Sequence, residues 1–234
     1  MHVKTESRSE WLAARKELLA KEKALTRMSD ELSAARREMP WLRVDTNYVF
    51  EGPDGRETLS QLFAGRSQLI VYHFMFAPEW EAGCPSCSFW ADSFNGVYDH
   101  VQARDATFLA ISRAPLERLE KYKQRMGWGF KWVSSHDNTF NFDFQVSFTP
   151  DDRARGVATY NYAPLQYDRS DMPGFSVFSK DSSGAIFYTY STFARGIERA
   201  NAAYQLIDLL PKGRDEAPPG HPMFWLRRRD EYGR

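Results

Sequence analysis

The stretch Gln68–Phe89 reads QLIVYHFMFAPEWEAGCPSCSF and contains both cysteines of the 234-residue chain. Its first part, Gln68–Phe76, is almost continuously apolar and rich in β-branched and aromatic residues, which predicts a central strand covered on both faces. We expect that strand to end near Ala77. Pro78 and Gly83 then interrupt the pattern, and apolar residues at helical spacing follow.

The two cysteines, Cys84 and Cys87, open the helical segment as a Cys-Pro-Ser-Cys motif. Pro85 suits the first turn of a helix, where its missing N–H is no loss. Unpaired N–H groups and the positive end of the helix dipole favour a thiolate at such a position, so Cys84 is the candidate nucleophile. A CxxC motif that follows a strand predicts a dithiol redox site.

Composition limits the classes of protein to which the chain can belong. With 42% hydrophobic residues and a formal net charge of zero, it can bury one sizeable core and has no overall field to attract nucleic acid. The run Arg227–Arg229 is followed by Asp230 and Glu231, which predicts an exposed or salt-bridged tail rather than a nucleic-acid site.

No long apolar run and no signal peptide are visible, so we expect a cytoplasmic protein with no membrane partner. Thiols stay reduced in that compartment. The CxxC motif is therefore expected to be catalytic or metal-binding rather than a structural disulfide.

Three regions are expected along the chain. Residues 1–39 form a charged helical arm that begins with a capping box at Ser7 and Glu10. Residues 40–212 form the main domain, and residues 213–234 form a C-terminal tail. Apolar residues recur every seven positions along the arm, at Trp11, Leu18, Leu25 and Leu32. We expect the arm to pack against the domain or a sister subunit, which makes it a candidate for homodimer formation.

The elements of the main domain follow from alternating strand, turn and helix patterns. The expected order is a hairpin at 48–59, the central strand, the CxxC helix, a strand at 107–112, a helix at 115–126, a strand at 130–134, a polar inserted loop at 151–171, a hairpin at 174–190 and a helix at 197–210. The candidate packing residues of the last helix are Tyr204, Ile207, Leu209 and Leu210. This order predicts an α/β fold and resembles the thioredoxin fold with an N-terminal extension.

The resemblance extends to particular segments, which are HFMFAPEWEAGCPSCSFWAD, ISRAPLERLEKYKQRMGW, FNFDF, FYTYSTFARG and WLRRRDEY. They look like successive blocks of a bacterial thioredoxin-like family of unassigned function, domain-of-unknown-function family 899. Its members are often labelled predicted dithiol-disulfide oxidoreductases. The resemblance implies a thioredoxin-like central mixed sheet flanked by helices, with the arm and the first hairpin as extensions. The label rests on the same motif and fold, so it is not independent support for an activity.

Roles for individual residues follow from the resemblance to thioredoxin-like enzymes. Cys84 would be the exposed nucleophile, and Cys87 would be the resolving thiol that releases product from a mixed disulfide. Pro173 matches in position the cis-proline that faces the dithiol in thioredoxins; the alternative is a trans-proline that begins a strand. Trp80, beside the motif, fits either a substrate-binding surface or core packing.

The proton acceptor departs from the thioredoxin pattern. Thioredoxin has a buried aspartate in the strand below its motif, and Pro78 stands at the corresponding spacing here. Three titratable residues are candidate replacements: His73, Glu79 and Glu81. For His73 the alternative is a hydrogen-bonded core histidine. Arg113 and Arg195 would either steady a thiolate by charge or pair with local carboxylates.

Other functions remain open at this point. Peroxiredoxins carry a threonine or serine three residues before the peroxidatic cysteine, where this chain has Glu81, which argues against a thiol peroxidase. Zinc needs about four ligands and one CxxC supplies two, so no metal and no cofactor is expected. A thioredoxin-like interaction module is the non-enzymatic alternative. The preferred hypothesis is a thiol-disulfide oxidoreductase whose partner is a disulfide-containing protein or a small thiol.

Overall fold

The computed structural model describes residues 7–216 and 223–233. The chain divides into two compact units, Met1–Pro40 and Trp41–Arg234. The predictions for residues 1–6 of the arm, and for residues 217–222 and 234 of the tail, lie outside the described residues. None of the helices in the described ranges combines the length and the apolar character needed to cross a bilayer.

The first unit contains one long helix, α1 (Arg8–Arg37), as the charged pattern predicts. Its N-cap is Ser7, whose hydroxyl accepts a hydrogen bond from the Glu10 backbone N–H. The Glu10 carboxylate accepts one from the Ser7 backbone N–H at 3.0 Å, which completes the predicted capping box. The apolar stripe of α1 is exposed at Trp11, Leu18, Leu25 and Leu32. Self-association through this stripe stays a prediction.

The second unit is built on a mixed sheet. In chain order the strands are β1 (Leu42–Val44), β2 (Val49–Gly52), β3 (Gly55–Thr58), β4 (Gln68–His73), β5 (Ala106–Ser112), β6 (Lys131–Ser134), β7 (Thr159–Tyr160), β8 (Ala163–Pro164), β9 (Gly174–Lys180) and β10 (Ile186–Phe193). The main sheet has the order β1-β10-β9-β4-β5-β6-β2-β3, and β7 pairs separately with β8. β4 pairs parallel with β5 and antiparallel with β9, so the predicted mixed sheet is confirmed.

Short helices connect these strands. They are α2 (Leu59–Leu62), α3 (Pro85–Ala91), α4 (Tyr98–Gln102), α5 (Leu116–Met126), α6 (Phe140–Asp143), α7 (Pro150–Ala154) and α8 (Ala202–Ile207), with 3-10 segments at Ala194–Ala200 and Arg229–Glu231. α5 ends at Gly127, which has a left-handed φ of 66° that a residue with a side chain rarely adopts. The end of the helix predicted at 115–126 is confirmed.

The central strands bury both of their faces, as a strand between two layers must. On β4, Leu69 and Val71 belong to one apolar cluster, whereas Tyr72 belongs to a second cluster on the other face. The second cluster also contains Cys87 and Trp90 of α3, so the CxxC helix packs on that face of the sheet. Its aromatic members include Phe74, Phe94, Trp128 and Trp132.

The end of β4 differs from the prediction: the strand ends at His73 and not near Ala77. Beyond it the Phe74 N–H still donates to Ile111 at 3.0 Å, but pairing with β9 stops where Gly174 lies opposite His73. Pro173 precedes Gly174 and has no N–H to donate, so the antiparallel ladder cannot continue through it. A partner strand remote in sequence therefore sets this boundary.

Two further predictions are wrong in detail. The segment at 151–171, expected to be an irregular loop, contains part of α7 and the small hairpin of β7 and β8. The expected helix at 197–210 is instead a 3-10 segment followed by α8. Asn201 separates them because its backbone is extended and its side chain accepts a hydrogen bond from the Tyr204 N–H at 2.9 Å. Tyr204 is buried as predicted, whereas Leu209 and Leu210 are exposed.

Candidate active site

The CxxC motif lies at the start of α3, with Cys84 as its N-cap and Pro85 as its first helical residue. The Cys84 N–H donates to the Met75 carbonyl at 3.1 Å, and the Met75 N–H donates to the Cys87 sulfur at 3.5 Å. The hydroxyl of Tyr72 donates to the Cys87 carbonyl at 3.2 Å. Tyr72 of β4 and Met75, just beyond its end, therefore fix both cysteines in the strand-to-helix context that the sequence predicts.

The two cysteines differ in their exposure. Both are free thiols; Cys84 is 9% exposed and Cys87 is 1% exposed. The prediction that Cys84 is openly exposed is wrong in degree. Cys84 is itself part of the apolar cluster on the α3 face, and Trp80 packs against that cluster. Cys84 nevertheless retains the larger accessible fraction of the pair.

The surroundings push the pKa values of the two thiols apart. A hydrogen bond from the Cys87 thiol lowers the pKa of Cys84 to about 6; burial opposes this, while the backbone N–H groups of Cys87 and Ser86 and the charge of Arg169 support it. Burial raises the pKa of Cys87 well above its ordinary value, and the Cys84 sulfur adds to that effect. At neutral pH the arrangement therefore favours a thiolate at Cys84 and a thiol at Cys87.

The loop that leads into the motif is closely packed. A Cβ atom at Gly83 would lie 2.6 Å from Phe74 Cε1 and 2.8 Å from Tyr122 Cε1, and both rings are buried. Only glycine fits at this position without moving a core ring. The Arg118 guanidinium donates to the carbonyls of Pro78 and Trp80, the latter at 2.8 Å. The half-buried Trp80 is thus held beside the motif, and a role in substrate binding stays a prediction.

His73 does not lie with the dithiol. Along β4 its side chain alternates with that of Tyr72, which places it on the opposite face of the sheet from α3. It is buried, and its Nε2 lies 2.8 Å from the Ser176 hydroxyl. Burial lowers the pKa of His73 to about 3. The structure thus corresponds to the core-histidine alternative, and the position does not provide direct proton transfer to Cys84.

The two acidic candidates lie on the loop between β4 and α3. Glu79 and Glu81 are both exposed, and the charge of Glu79 acts on Arg113. Proton transfer by Glu81 stays a prediction. Within the residues that the structure describes, no three His, Cys, Asp or Glu side chains converge as a metal site would require.

Pro173 lies at the edge of the sheet from which the CxxC loop departs. It directly precedes Gly174, whose partner is His73, the last residue of β4. The Tyr160 hydroxyl donates to the Pro173 carbonyl at 2.7 Å and holds this segment in place. That Pro173 faces the dithiol, and that the Met172–Pro173 bond is cis, stay predictions.

A buried ion pair adjoins this edge; the sequence offered pairing with a carboxylate as one role for Arg113, but it did not identify Asp171 as the partner. Arg113 Nε and Nη2 donate to the two carboxylate oxygens of Asp171 at 2.8 and 2.7 Å. The hydroxyls of Ser147 and Ser170 also donate to Asp171, at 2.6 and 2.8 Å. The pair joins the end of β5 to the segment that carries Pro173. Arg113 is thus paired with a carboxylate. Arg195 likewise pairs with Glu198 at 3.0 Å, so both arginines match the ion-pair interpretation.

A comparison with protein families shows to which family the chain belongs. Residues 1–232 match the model of a family described as bacterial protein of unknown function (DUF899). The chain belongs to this family. The match covers the arm, the sheet and the CxxC segment of this DUF899 protein, and it confirms the resemblance inferred from the sequence.

Solved structures show which fold the DUF899 protein adopts. Peroxiredoxin Q of Xanthomonas campestris, solved as a cysteine-to-serine mutant, is 15% identical, with 74% of this chain and 98% of that chain covered and a TM-score of 0.50. Peroxidoxin BcpB of Mycobacterium tuberculosis is 13% identical, with 72% and 96% covered and a TM-score of 0.46. No curated protein matches in sequence. At such identities the likeness to peroxiredoxin Q shows the thioredoxin fold and not the activity, so the predicted fold is confirmed.

Arg169 is a further site residue that the sequence did not reveal. It lies in the segment between α7 and β9 of the DUF899 protein and is exposed. Its positive charge favours the thiolate and so helps to lower the pKa of Cys84. A polar, weakly periodic segment gives no signal of such a role, because the proximity arises only when the segment folds back to the edge of the sheet.

The buried His73 makes the stability of the DUF899 protein depend on pH. In the unfolded chain a histidine binds a proton below about pH 6.5, whereas His73 in the folded protein has a pKa of about 3. The unfolded state therefore binds more protons between these values, and the free energy of unfolding falls by about 1.4 kcal/mol per pH unit as the pH decreases. Urea melts at pH 5 and pH 4 measure this change. Over that interval the free energy of unfolding of His73→Gln should fall by about 1.4 kcal/mol less than that of the wild type. A wild-type slope in His73→Gln would contradict a neutral buried ring.

Proposed function

We propose that this protein is a thiol-disulfide oxidoreductase in which Cys84 is the nucleophile and Cys87 the resolving thiol. The observation that carries the proposal is the asymmetry of the pair. The pKa of Cys84 is lowered to about 6 while burial raises the pKa of Cys87, so one sulfur is ready to attack while the other holds its proton. That division of roles is what two-step disulfide exchange requires.

In the first step the Cys84 thiolate attacks one sulfur of a substrate disulfide. The substrate S–S bond breaks, one half leaves as a thiolate, and the other half is held on Cys84 as a mixed disulfide. In the second step Cys87 gives up its proton to the departing thiolate or to water and attacks the Cys84 sulfur. The second half of the substrate then leaves; the substrate has gained two electrons and the protein has lost two.

The surroundings of Cys87 support the second step. The Met75 N–H, 3.5 Å from the Cys87 sulfur, and the Tyr72 hydroxyl both lower the pKa of Cys87 and so partly oppose the effect of burial. A thiolate that forms there during resolution therefore has two donors close by. Because both cysteines belong to one turn at the start of α3, the resolving attack is intramolecular and has a high effective concentration.

The proposed function also specifies the substrate and the cellular compartment. The substrate is a disulfide-containing protein or a small thiol in its disulfide form, and the reaction needs no bound cofactor. A cytoplasmic location is part of the proposal, since a reducing compartment regenerates the dithiol. Homodimer formation through α1 is a separate proposal, which the mass of the chain in solution with and without residues 1–39 would test.

A redox titration against glutathione tests the proposal. The reduced protein should form the Cys84–Cys87 disulfide at a defined ratio of reduced to oxidised glutathione, within the interval of about −270 to −120 mV that thioredoxin-fold dithiols span. The same reduced protein is exposed to hydrogen peroxide in parallel. Much faster oxidation by peroxide than by glutathione disulfide would favour a thiol peroxidase, and no reaction with either would favour an interaction module.

A further inference from the structure

The C-terminal segment 223–233 carries the run Arg227–Arg229, and the three arginines differ in their surroundings. Arg227 and Arg229 are exposed, whereas the side chain of Arg228 is only 18% exposed. A guanidinium group that is withdrawn from water needs hydrogen-bond partners for its donors. The partners of Arg228 lie at the CxxC motif.

Arg228 binds the residue that precedes the nucleophile. Its Nε and Nη2 donate to the Gly83 carbonyl at 3.2 and 2.9 Å, and Nε also lies 2.9 Å from the Tyr122 hydroxyl. Its Nη1 donates to Glu231 at 2.9 Å. The planar fork of the guanidinium therefore reaches a backbone carbonyl, a tyrosine and a carboxylate at once.

The contacts of Arg228 continue to the other side of Cys84. The Tyr122 hydroxyl lies 2.8 Å from the Ser88 hydroxyl, which donates to the Cys84 carbonyl at 2.9 Å. The carbonyl before Cys84 is thus held directly by Arg228, and the carbonyl of Cys84 is held through Tyr122 and Ser88. Together with the bond from the Cys84 N–H to Met75, these contacts fix the backbone on both sides of the nucleophile.

Several ion pairs hold the segment on the body of the unit. Arg125, near the end of α5, pairs with Asp230 at 2.7 Å and with Glu231 at 3.0 Å. Arg229 lies 3.5 Å from Asp92, at the end of α3, and donates to the Met126 carbonyl. Individual exposed pairs contribute little, but these converge on one short segment next to the motif.

We infer that Arg228 is a positioning residue for the dithiol and that the segment 223–233 is a strap that holds Cys84 in place at the start of α3. The inference rests on the proposed function for its catalytic meaning, although the geometry can be tested without it. The hydrogen bonds that stabilise the Cys84 thiolate come from Cys87 and from backbone N–H groups of the same turn, so they depend on the orientation of Cys84. Loss of Arg228 should weaken them.

The test is the pH dependence of Cys84 alkylation by iodoacetamide in the reduced full-length chain, followed by peptide mass spectrometry. Arg228→Met should raise the midpoint of the alkylation profile by about one pH unit, the size expected from losing one hydrogen bond. Arg228→Lys should raise it by less, since a lysine keeps the charge but cannot form the same fork. The matched control is Arg227→Met, which removes an exposed arginine and should leave the midpoint unchanged.

Equal midpoints in Arg228→Met and Arg227→Met would overturn the inference. If Arg228→Met does not fold, Tyr122→Phe replaces it. This variant removes the hydroxyl that contacts both Arg228 and Ser88 but leaves the hydrogen bonds from Arg228 to the Gly83 carbonyl, so it should raise the midpoint by less. An unchanged midpoint would again overturn the inference. The proposed function is judged separately. If the wild type reduces no disulfide but Arg228→Met shifts the midpoint, the strap stands and the oxidoreductase proposal fails.

Discussion

Cys84→Ser is expected to lower the rate of disulfide reduction on the order of a thousandfold or more, as loss of an enzyme nucleophile does. A serine hydroxyl is not ionised near neutral pH and cannot take the place of the thiolate that the site stabilises. The measurement is the initial rate of glutathione disulfide reduction by the reduced protein. Cys87→Ser should still complete the first step and accumulate a mixed disulfide, seen as the added mass of one glutathione.

The control for this experiment is Ser86→Ala. Ser86 lies between the two cysteines and supports the Cys84 thiolate through its backbone N–H, which alanine keeps. The control should therefore react at close to the wild-type rate. Reduction that survives in Cys84→Ser, or a mixed disulfide that forms on Cys87 alone, would show that the assigned order of attack is wrong.

Arg113→Met is expected to destabilise the folded protein by about 3–5 kcal/mol, because it leaves one partner of a buried ion pair without its countercharge. The Asp171 side chain is only 5% exposed and would lose both donors of the guanidinium. The two serines that also donate to Asp171 do not supply a positive charge. The free energy of unfolding from urea melts at pH 7 measures the loss.

A second arginine provides the matched comparison for Arg113→Met. Arg195 pairs with Glu198, but the side chain of Arg195 is 86% exposed. Exposed pairs contribute about 0–1 kcal/mol, so Arg195→Met should change the free energy of unfolding by no more than that. Equal losses in the two variants would mean that the Asp171 pair is not the buried interaction described above.

The unit from β4 to α3 could be predicted from the sequence because its signals are local. A continuous apolar run, a break at Pro78 and Gly83, and a proline in the first helical turn all lie within one stretch of chain. The same stretch identifies both cysteines and their order. Local propensity and the final structure agree here, and the candidate nucleophile follows from that agreement.

The remaining features depend on contacts between distant residues. The end of β4 is set by Pro173, and the partner of Arg113 lies 58 residues further along the chain. Arg228 and Gly83 are 145 residues apart, so the sequence showed three arginines in a tail and not a contact with the motif. The burial of Cys84 likewise depends on the packing of a whole cluster, which no local pattern encodes.

The most direct test of the roles assigned to Cys84 and Cys87 is the pH dependence of alkylation of each cysteine in the reduced wild-type protein. Cys84 should react with a midpoint well below the ordinary cysteine pKa of about 8.5, and Cys87 should not reach its midpoint until the pH is above that value. A midpoint for Cys84 at or above about 8.5, or a lower midpoint for Cys87 than for Cys84, would contradict these roles.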